Sequence, residues 1–355
     1  MTSLTYIPKD YDTFIGIDVD KTSFSFTVNN HFQMKKSKKL PSNPEHLYNY
    51  IQKTYGHKKV ICAYEAGPTG FHLYDYLTSK KIPCLITAPF SIPKAPNEKV
   101  KTNRIDSVKI TDHLMSGKMK SIRVPQGDYR ELRHLIRIRE NYASDRKTAK
   151  QRIKALLLYS NLYPELKEPD NKWSRNYIRE LKQISCSFAV RQRLDMLLED
   201  LEYARTKTLS TLRTLKAFCR EHTEINQYMR YLQSIPGFGF IVSVTLLGKI
   251  GDPAYLHNPR ELAAYVGLVP KEKSTGDTIH KGSITGLGSH ILRFMLVEAA
   301  WVAIRKDTQL EQFYHRIKGK HHPRYAAKIA ITAVARKLTQ IAYRVIKDKR
   351  MYVQY

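Results

Sequence analysis

At 355 residues the chain is long enough to bury a full core and to divide into two or three domains, and its 42% hydrophobic and 26% charged content places it among globular rather than disordered proteins. Sixty Lys and Arg against 32 Asp and Glu leave a formal charge of +28, an imbalance that a polyanion would offset and that makes nucleic acid the expected partner. No long apolar run, signal peptide or lipidation motif is present, which argues against a membrane partner and for a soluble, cytoplasmic protein.

Residues 13–17 and 59–64 are β-branched and aromatic runs that predict buried strands, and each is followed at once by an acid, Asp18 and Glu65. Residues 23–28 alternate as a second strand, and a more polar third strand is expected over 32–39. A helix over 45–54, another after Pro68-Thr69-Gly70, a strand over 82–87 and a helix over 105–115 carrying Asp106 complete the first third. Three early strands, a fourth with a helix behind it, and acids on the first and fourth strands plus a late helix form the pattern of an RNase H or RuvC-like fold, an analogy at fold level. Carboxylates held together repel unless a divalent cation neutralises them, and hard oxygen ligands suit Mg²⁺ or Mn²⁺. Asp18, Glu65 and Asp106 are therefore the candidate metal ligands, although taken singly each is an ordinary acid at an element end. Cys62, Cys84, Cys186 and Cys219 lie far apart without a C-x-x-C pair, which argues against structural zinc or a disulfide framework. Cys62 and Cys84 fall in apolar strand-like runs and are expected as buried free thiols.

Residues 129–231 read as helical and charged. Leu132, Leu135, Ile136 and Tyr142 recur at helical spacing, as do Leu194, Leu197, Leu201, Ala204 and Leu215. Pro164 and Glu168-Pro169-Asp170 separate the two segments, so a helical hairpin or antiparallel coiled coil is expected, with Thr208 and Thr211 interrupting its stripe. A plain helical bundle that serves as a spacer or dimer contact is the main reading of this segment. The last third opens with Ile235-Pro236-Gly237-Phe238-Gly239 and an apolar run over 241–247, which resembles a helix-hairpin-helix element whose glycines let backbone N–H groups approach a phosphate. A turn between two packed helices would use Pro-Gly equally well. Between residues 315 and 350 there are eleven Lys and Arg against the single acid Asp348, and 326–345 carries helical apolar spacing. One face of that helix can pack while the other meets phosphate. Gly237, Gly239, Lys281, Arg293, Arg336 and Lys337 are the expected nucleic-acid contacts.

The pieces Gly16-Ile17-Asp18-Val19-Asp20-Lys21, Tyr64-Glu65-Ala66-Gly67-Pro68-Thr69-Gly70, Lys101-Thr102-Asn103-Arg104-Ile105-Asp106, Ile235-Pro236-Gly237-Phe238-Gly239, Ala263-Ala264-Tyr265-Val266-Gly267-Leu268-Val269-Pro270 and Ala335-Arg336-Lys337-Leu338 occur in this order. In order and spacing the chain resembles the DEDD transposases of bacterial insertion sequences of the 110 and 1111 type, a group that includes the Piv DNA invertase. The resemblance implies a RuvC-like domain over 11–125, a helical coiled-coil region over 126–230 and a mainly helical transposase domain over 231–350. It places the four acids at Asp18, Glu65, position 103 and Asp106. Position 103 is Asn here, a departure that keeps an oxygen ligand but removes a charge. It also implies a serine nucleophile standing before a glycine in the stretch after Gly-Leu-x-Pro. That stretch reads Lys273-Ser274-Thr275-Gly276, so Thr275 occupies the slot before the glycine and Ser274, the serine, lies one residue earlier; Ser274 is the expected nucleophile and Thr275 its rival, although a Ser-Thr-Gly triplet is also ordinary turn chemistry.

The mechanism so implied is a composite site that joins a DNA phosphodiester covalently to serine, with Mg²⁺ or Mn²⁺ as the cofactor. The implied partners are element-end and target DNA, a noncoding bridge RNA that selects target and donor, and further copies of the chain as a dimer or tetramer, on nucleoid-associated DNA. Two rivals stay open. A metal-dependent junction nuclease of the RuvC type would use the acids without the serine, and a non-catalytic nucleic-acid-binding protein would use only the glycine motif and the basic helices.

Overall fold

The computed structural model describes residues 6–30, 33–89, 92, 103–162, 173–275 and 278–354. They form two compact units: Met1–Val124 with Tyr255–His257, and Pro125–Ala254 with Asn258–Tyr355.

The first unit is mixed α/β. Its elements are β1 (Thr13–Val19), β2 (Ser23–Asn30), β3 (Gln33–Pro41), α1 (Pro44–Tyr55), β4 (Val60–Glu65), α2 (His72–Ser79), β5 (Cys84–Thr87) and α3 (Asn103–Met115). The sheet order is β3-β2-β1-β4-β5. β2 lies antiparallel to β1 and β3, while β4 runs parallel to β1 and to β5. β1 and β4 are apolar without alternation because both faces of the sheet are covered. On one face Ile15, Ile17, Cys62, Tyr64 and Ile86 pack with Leu47 and Ile51 of α1 and with Leu73 and Leu77 of α2. On the other, Phe14, Ile61, Ala63 and Leu85 pack with Ile110 and Leu114 of α3. α1 begins where Asn43 accepts the Glu45 N–H at 2.9 Å and Pro44 presets the first turn. The edge strand β3 exposes Lys36, Lys38 and Lys39, a usual protection against edge-to-edge pairing.

Cys62 and Cys84 are free, buried and paired in register across β4 and β5, as their apolar runs predict. Burial pushes the Cys62 thiol up to about 12 and the Cys84 thiol well above the ordinary range.

The second unit is mainly helical: α4 (Gly127–Tyr159), α5 (Arg175–Gln183), α6 (Phe188–Glu221), α7 (Thr223–Gln233), α8 (Phe240–Ile250), α9 (Pro259–Val266), β6 (Pro270–Thr275), β7 (Thr278–Ile284), α10 (His290–Ala303), α11 (Thr308–Lys318) and α12 (Pro323–Lys347). α4 and α6 run antiparallel. Asp128 near the start of α4 meets His222 just past the end of α6 at 2.9 Å, the Tyr142 and Tyr203 rings stand 6.2 Å apart, and Ile153 and Leu156 share a core with Leu194 and Leu197. Thr208 does not break the helix, because its hydroxyl donates to the Ala204 carbonyl at 2.7 Å; Thr211 does the same to Thr208 at 3.0 Å. Pro164 and the 168–170 stretch lie outside the described residues.

Two elements differ from the sequence expectation. α5 is a separate short helix started by Ser174, whose hydroxyl accepts the Tyr177 N–H at 3.1 Å. β6 and β7 form an antiparallel hairpin where the sequence predicts no strand and offers turn chemistry as the alternative to a nucleophile. A run of Lys, Glu, Ser and Thr carries no apolar alternation to announce a strand. No helix among the described residues is long and apolar enough to cross a membrane.

Candidate active site and nucleic-acid surface

The parallel pairing of β1 with β4 sets Ile17 opposite Tyr64, so the next residues on each strand, Asp18 and Glu65, are neighbours at the strands' C-terminal ends. Side chains alternate along a strand, and Phe14 and Ile61 face α3; Asp18 and Glu65, an even number of residues further on, belong to that same face. Asp18 is half-buried and Glu65 exposed. At the ~5 Å spacing of neighbouring strands two carboxylates repel by about 1 kcal/mol in water and about 3 kcal/mol at a dielectric near 20. The fold sustains a cost of that size without help, so the pair permits a shared cation without requiring one.

α3 is held against this face by a buried polar network. The Gly16 N–H donates to Thr111 Oγ1 at 3.0 Å, and Thr111 Oγ1 has the Ser107 and Thr27 carbonyls within donating reach at 2.7 and 3.1 Å. Ser107 Oγ in turn shares a proton with Thr27 Oγ1 at 2.8 Å. The approach is so close that a Cβ on Gly16 would collide with the Thr111 backbone and the Ser107 carbonyl. Phe14 packs beside Ile110 and Leu114, and Gly16 lies against Ser107 and Thr111, so α3 runs antiparallel to β1. Its first turn is thereby carried toward the strand end that bears Asp18. That turn contains Asp106, which is half-buried, and Asn103, whose side chain lies outside the described residues.

Among the described residues no group of three or more His, Cys, Asp or Glu side chains is gathered closely enough to hold a metal ion. The donor chemistry nevertheless fits one: two carboxylates in neighbouring register, a third on the adjoining helix turn, and oxygen atoms throughout.

Ser274 and Thr275 end β6, where Ser274 pairs with Ile279 and Thr275 with Thr278. Their side chains, and that of Lys281 on β7, lie outside the described residues. The hairpin therefore places both candidate nucleophiles at its tip by backbone register alone.

The expected phosphate loop joins α7 to α8. Gly237 takes φ +84°, and a Cβ there would strike the Ala299 carbonyl of α10, so close helix packing explains this glycine. Gly239, at the start of α8, has open space where a Cβ would stand and is the glycine a ligand could approach. Gly237, Phe238 and Gly239 line a cavity of about 530 Å³ together with Val302 and Lys306. Lys306 was not singled out from the sequence; it sits 67 positions after Gly239, and no local signal links the two.

The other expected contacts divide. One guanidinium nitrogen of Arg293 donates to the Leu287 carbonyl at 2.9 Å and the Val266 carbonyl at 3.4 Å, which braces the glycine turns around Gly267 and Gly288. Arg336 is half-buried and Lys337 exposed on α12, whose opposite face buries Ala330, Val334, Leu338 and Ala342.

Two family models match the chain. One described as Transposase IS116/IS110/IS902 family matches residues 229–315, and one named for the DEDD transposases of IS110 matches residues 15–161. The chain is similar to y4qE of Sinorhizobium fredii, which carries a provisional transposase name, at 28% identity over 369 residues, 96% of this chain and 90% of that protein. It is similar to the transposase for insertion sequence element IS1533 of Leptospira borgpetersenii at 24% identity, over 70% of this chain and 72% of that protein. A pilin gene-inverting protein of Moraxella bovis is 34% identical over 131 residues, 36% of this chain and 40% of that protein.

Proposed function

Because the chain belongs to the IS116/IS110/IS902 family of transposases, we propose that it is a DNA transposase whose strand chemistry uses the acids of the first unit and a hydroxyl of the second. The observation that carries the chemistry is the neighbouring register of Asp18 and Glu65 at the ends of two parallel strands, on the face that α3 covers with Asp106 in its first turn. The strand order β3-β2-β1-β4-β5 with β2 antiparallel supports a RuvC-like reading of residues 11–125. The α4–α6 pair supports a coiled-coil region over 126–230, and the glycine loop between α7 and α8 supports a helix-hairpin-helix-like element within a transposase domain over 231–350.

In this reading Asp18, Glu65 and Asp106, with Asn103 beside them, would hold Mg²⁺ or Mn²⁺, which supplies Lewis-acid stabilisation of phosphoryl charge when bound. Ser274, or failing that Thr275, is the nucleophile. Its Oγ forms a bond to phosphorus while the bond from phosphorus to one sugar oxygen breaks. The hydroxyl proton passes to a base, the departing sugar oxygen takes up a proton, and no oxidant or reductant is needed. The phosphoserine bond keeps the energy of the broken phosphodiester for attack by a hydroxyl of the second DNA. Lys271, exposed beside this stretch, and the cationic α12 would steady phosphate charge. The +28 charge is in keeping with a bridge RNA bound together with two duplexes; in this reading the chain acts as a dimer or tetramer on nucleoid DNA in the cytoplasm.

The test is incubation with the flanking element DNA and RNA in Mg²⁺, followed by a denaturing gel. A protein–DNA adduct that Ser274→Ala or the double Ser274→Ala/Thr275→Ala variant removes is the expected result. Hydrolysed ends with no adduct at any stage would replace this mechanism with the junction-nuclease reading.

A further inference from the structure

We infer that the first unit carries a binding pocket for an unpaired nucleic-acid strand at the end of its sheet opposite Asp18 and Glu65. A cavity of about 420 Å³ opens where the chain enters β1, β4 and β5, and Lys58, Lys59, Lys80 and Lys81 line it. β4 runs from Val60, beside this cavity, to Glu65 at the other end, so about 17 Å of strand separates the two places. The volume falls within the range of about 300–1,000 Å³ usual for ligand pockets.

The composition of the lining identifies the ligand. Its floor is apolar, with Ile51, Tyr55, Val60 and Ile82 buried, Tyr11 is half-buried and is the lining ring with a surface left to stack on, and the lining lysines are cationic. Basic groups that track phosphates beside an aromatic ring on which a base stacks are a usual device for single-stranded nucleic acid. The neighbouring charges oppose this only in part. α1 and α2 both end at the cavity, each contributing about −0.5 charge from its C-terminal carbonyls, and Asp10 contributes one negative charge. Four lysines still leave about +2 on this count, or about +1 with Asp12, whose carboxylate accepts the Lys59 backbone N–H at 2.9 Å. The Lys80 ammonium stands 5.6 and 5.8 Å from the Tyr48 and Tyr76 rings, so the phosphate contacts fall chiefly to Lys58, Lys59 and Lys81. Lys81 has φ +61°, a backbone conformation natural to glycine and strained for lysine, at the rim of the cavity.

The pocket deepens the transposase reading and rests on it for its ligand, since an enzyme that exchanges strands exposes unpaired ones. The competing explanation is that these lysines only complement the two helix C-termini. It predicts lost stability without lost binding.

The experiment measures fluorescence anisotropy of the full chain with single-stranded DNA, single-stranded RNA and duplex DNA across a salt series. Lys58→Gln/Lys59→Gln/Lys81→Gln should weaken single-strand binding roughly tenfold or more and shrink the log–log salt slope by about 0.7 per lost phosphate, with duplex binding little changed. Lys81→Gly, which relieves the backbone, should melt no lower than the parent and still bind single strands more weakly. In the unmodified protein, Lys58, Lys59 and Lys81 should be protected from acetylation when an oligonucleotide is bound, and the DNA and RNA arms show which strand the pocket takes. Unchanged single-strand affinity and slope in the triple variant would overturn the pocket. A parent that cuts element DNA but binds no single strand would overturn it too, while leaving the transposase reading intact. A parent that neither binds nor cuts element DNA would sink that reading, and single-strand binding lost in the triple variant would still uphold the pocket.

Discussion

Gly16 and Thr111 join the central strand of the sheet to α3 through one buried hydrogen bond, from the Gly16 N–H to Thr111 Oγ1 at 3.0 Å. The bond forms only because residue 16 lacks a side chain, since a Cβ there would collide with the α3 backbone. Asp106 rides on that helix, and Asp18 follows Gly16 by two residues on the same face. The seating of the acids therefore depends on a residue that has no chemistry of its own.

Gly16→Ala should thus force α3 away from β1. Overpacking of this kind costs about 1–3 kcal/mol, read as a lower urea midpoint for the first unit. Strand cleavage should fall well beyond what that loss of stability explains, because Asp106 moves with the helix. A variant with parent stability and parent activity would show that the approach is looser than described.

Asn103→Asp should restore a fourth acid in the first turn of α3. With more negative charge on the site, half-maximal DNA cleavage should need less Mg²⁺, while Asp18→Asn should abolish cleavage and leave DNA binding in place. A magnesium titration of all three proteins checks both outcomes. An unchanged midpoint in Asn103→Asp would remove position 103 from the ion's surroundings.

The thiols of Cys62 and Cys84 are raised by burial, Cys62 to about 12. A group whose folded pKa lies above its unfolded value keeps its proton in the folded state while the unfolded chain loses its own. Stability from these thiols is therefore full below about pH 8.5, the ordinary thiol value, and falls as pH rises through the window between that value and the raised ones. Denaturant melts of the first unit from pH 8 to 11 should show the decline, at up to about 1.4 kcal/mol per pH unit for each thiol. Cys62→Ala/Cys84→Ala should flatten the slope, and neither thiol should react with a thiol reagent at pH 8 before unfolding.

Tyr352 closes the second unit. Its hydroxyl donates to Asp307 Oδ2 at 2.6 Å, and its backbone N–H donates to Ser234 Oγ at 2.8 Å. Asp307 is 1% exposed and also caps α11 through the Leu310 N–H at 2.9 Å. Tyr352→Phe removes a bond to a buried carboxylate, so it should lower the stability of the second unit by about 1.5–3 kcal/mol in a urea melt. A loss below about 0.5 kcal/mol would mean that water replaces the hydroxyl freely.

Much of the first unit was legible in local pattern. The runs over 13–17 and 59–64 announce strands because both faces of β1 and β4 are buried, and the acids after them stand out by contrast. The helix over 326–345 was legible for a similar reason, since Ala330, Val334, Leu338 and Ala342 recur at helical spacing. The β6–β7 hairpin was not, because polar residues of a small exposed hairpin carry no such contrast. Lys306 beside Gly239, the lysine pairs meeting at one cavity, and the bracing role of Arg293 were also invisible, since each depends on residues far apart in the chain coming together.

By itself the sequence determined which segments are apolar, which positions are acidic and that the chain carries a large positive charge, all properties of residue order and composition. Only the tertiary structure decided that β4 lies parallel beside β1, so that Asp18 and Glu65 become neighbours 47 residues apart in the chain. It likewise decided that α3 approaches closely enough to require Gly16. Burial and periodicity are set by near neighbours along the chain, whereas strand register and helix approach are set by packing between distant segments.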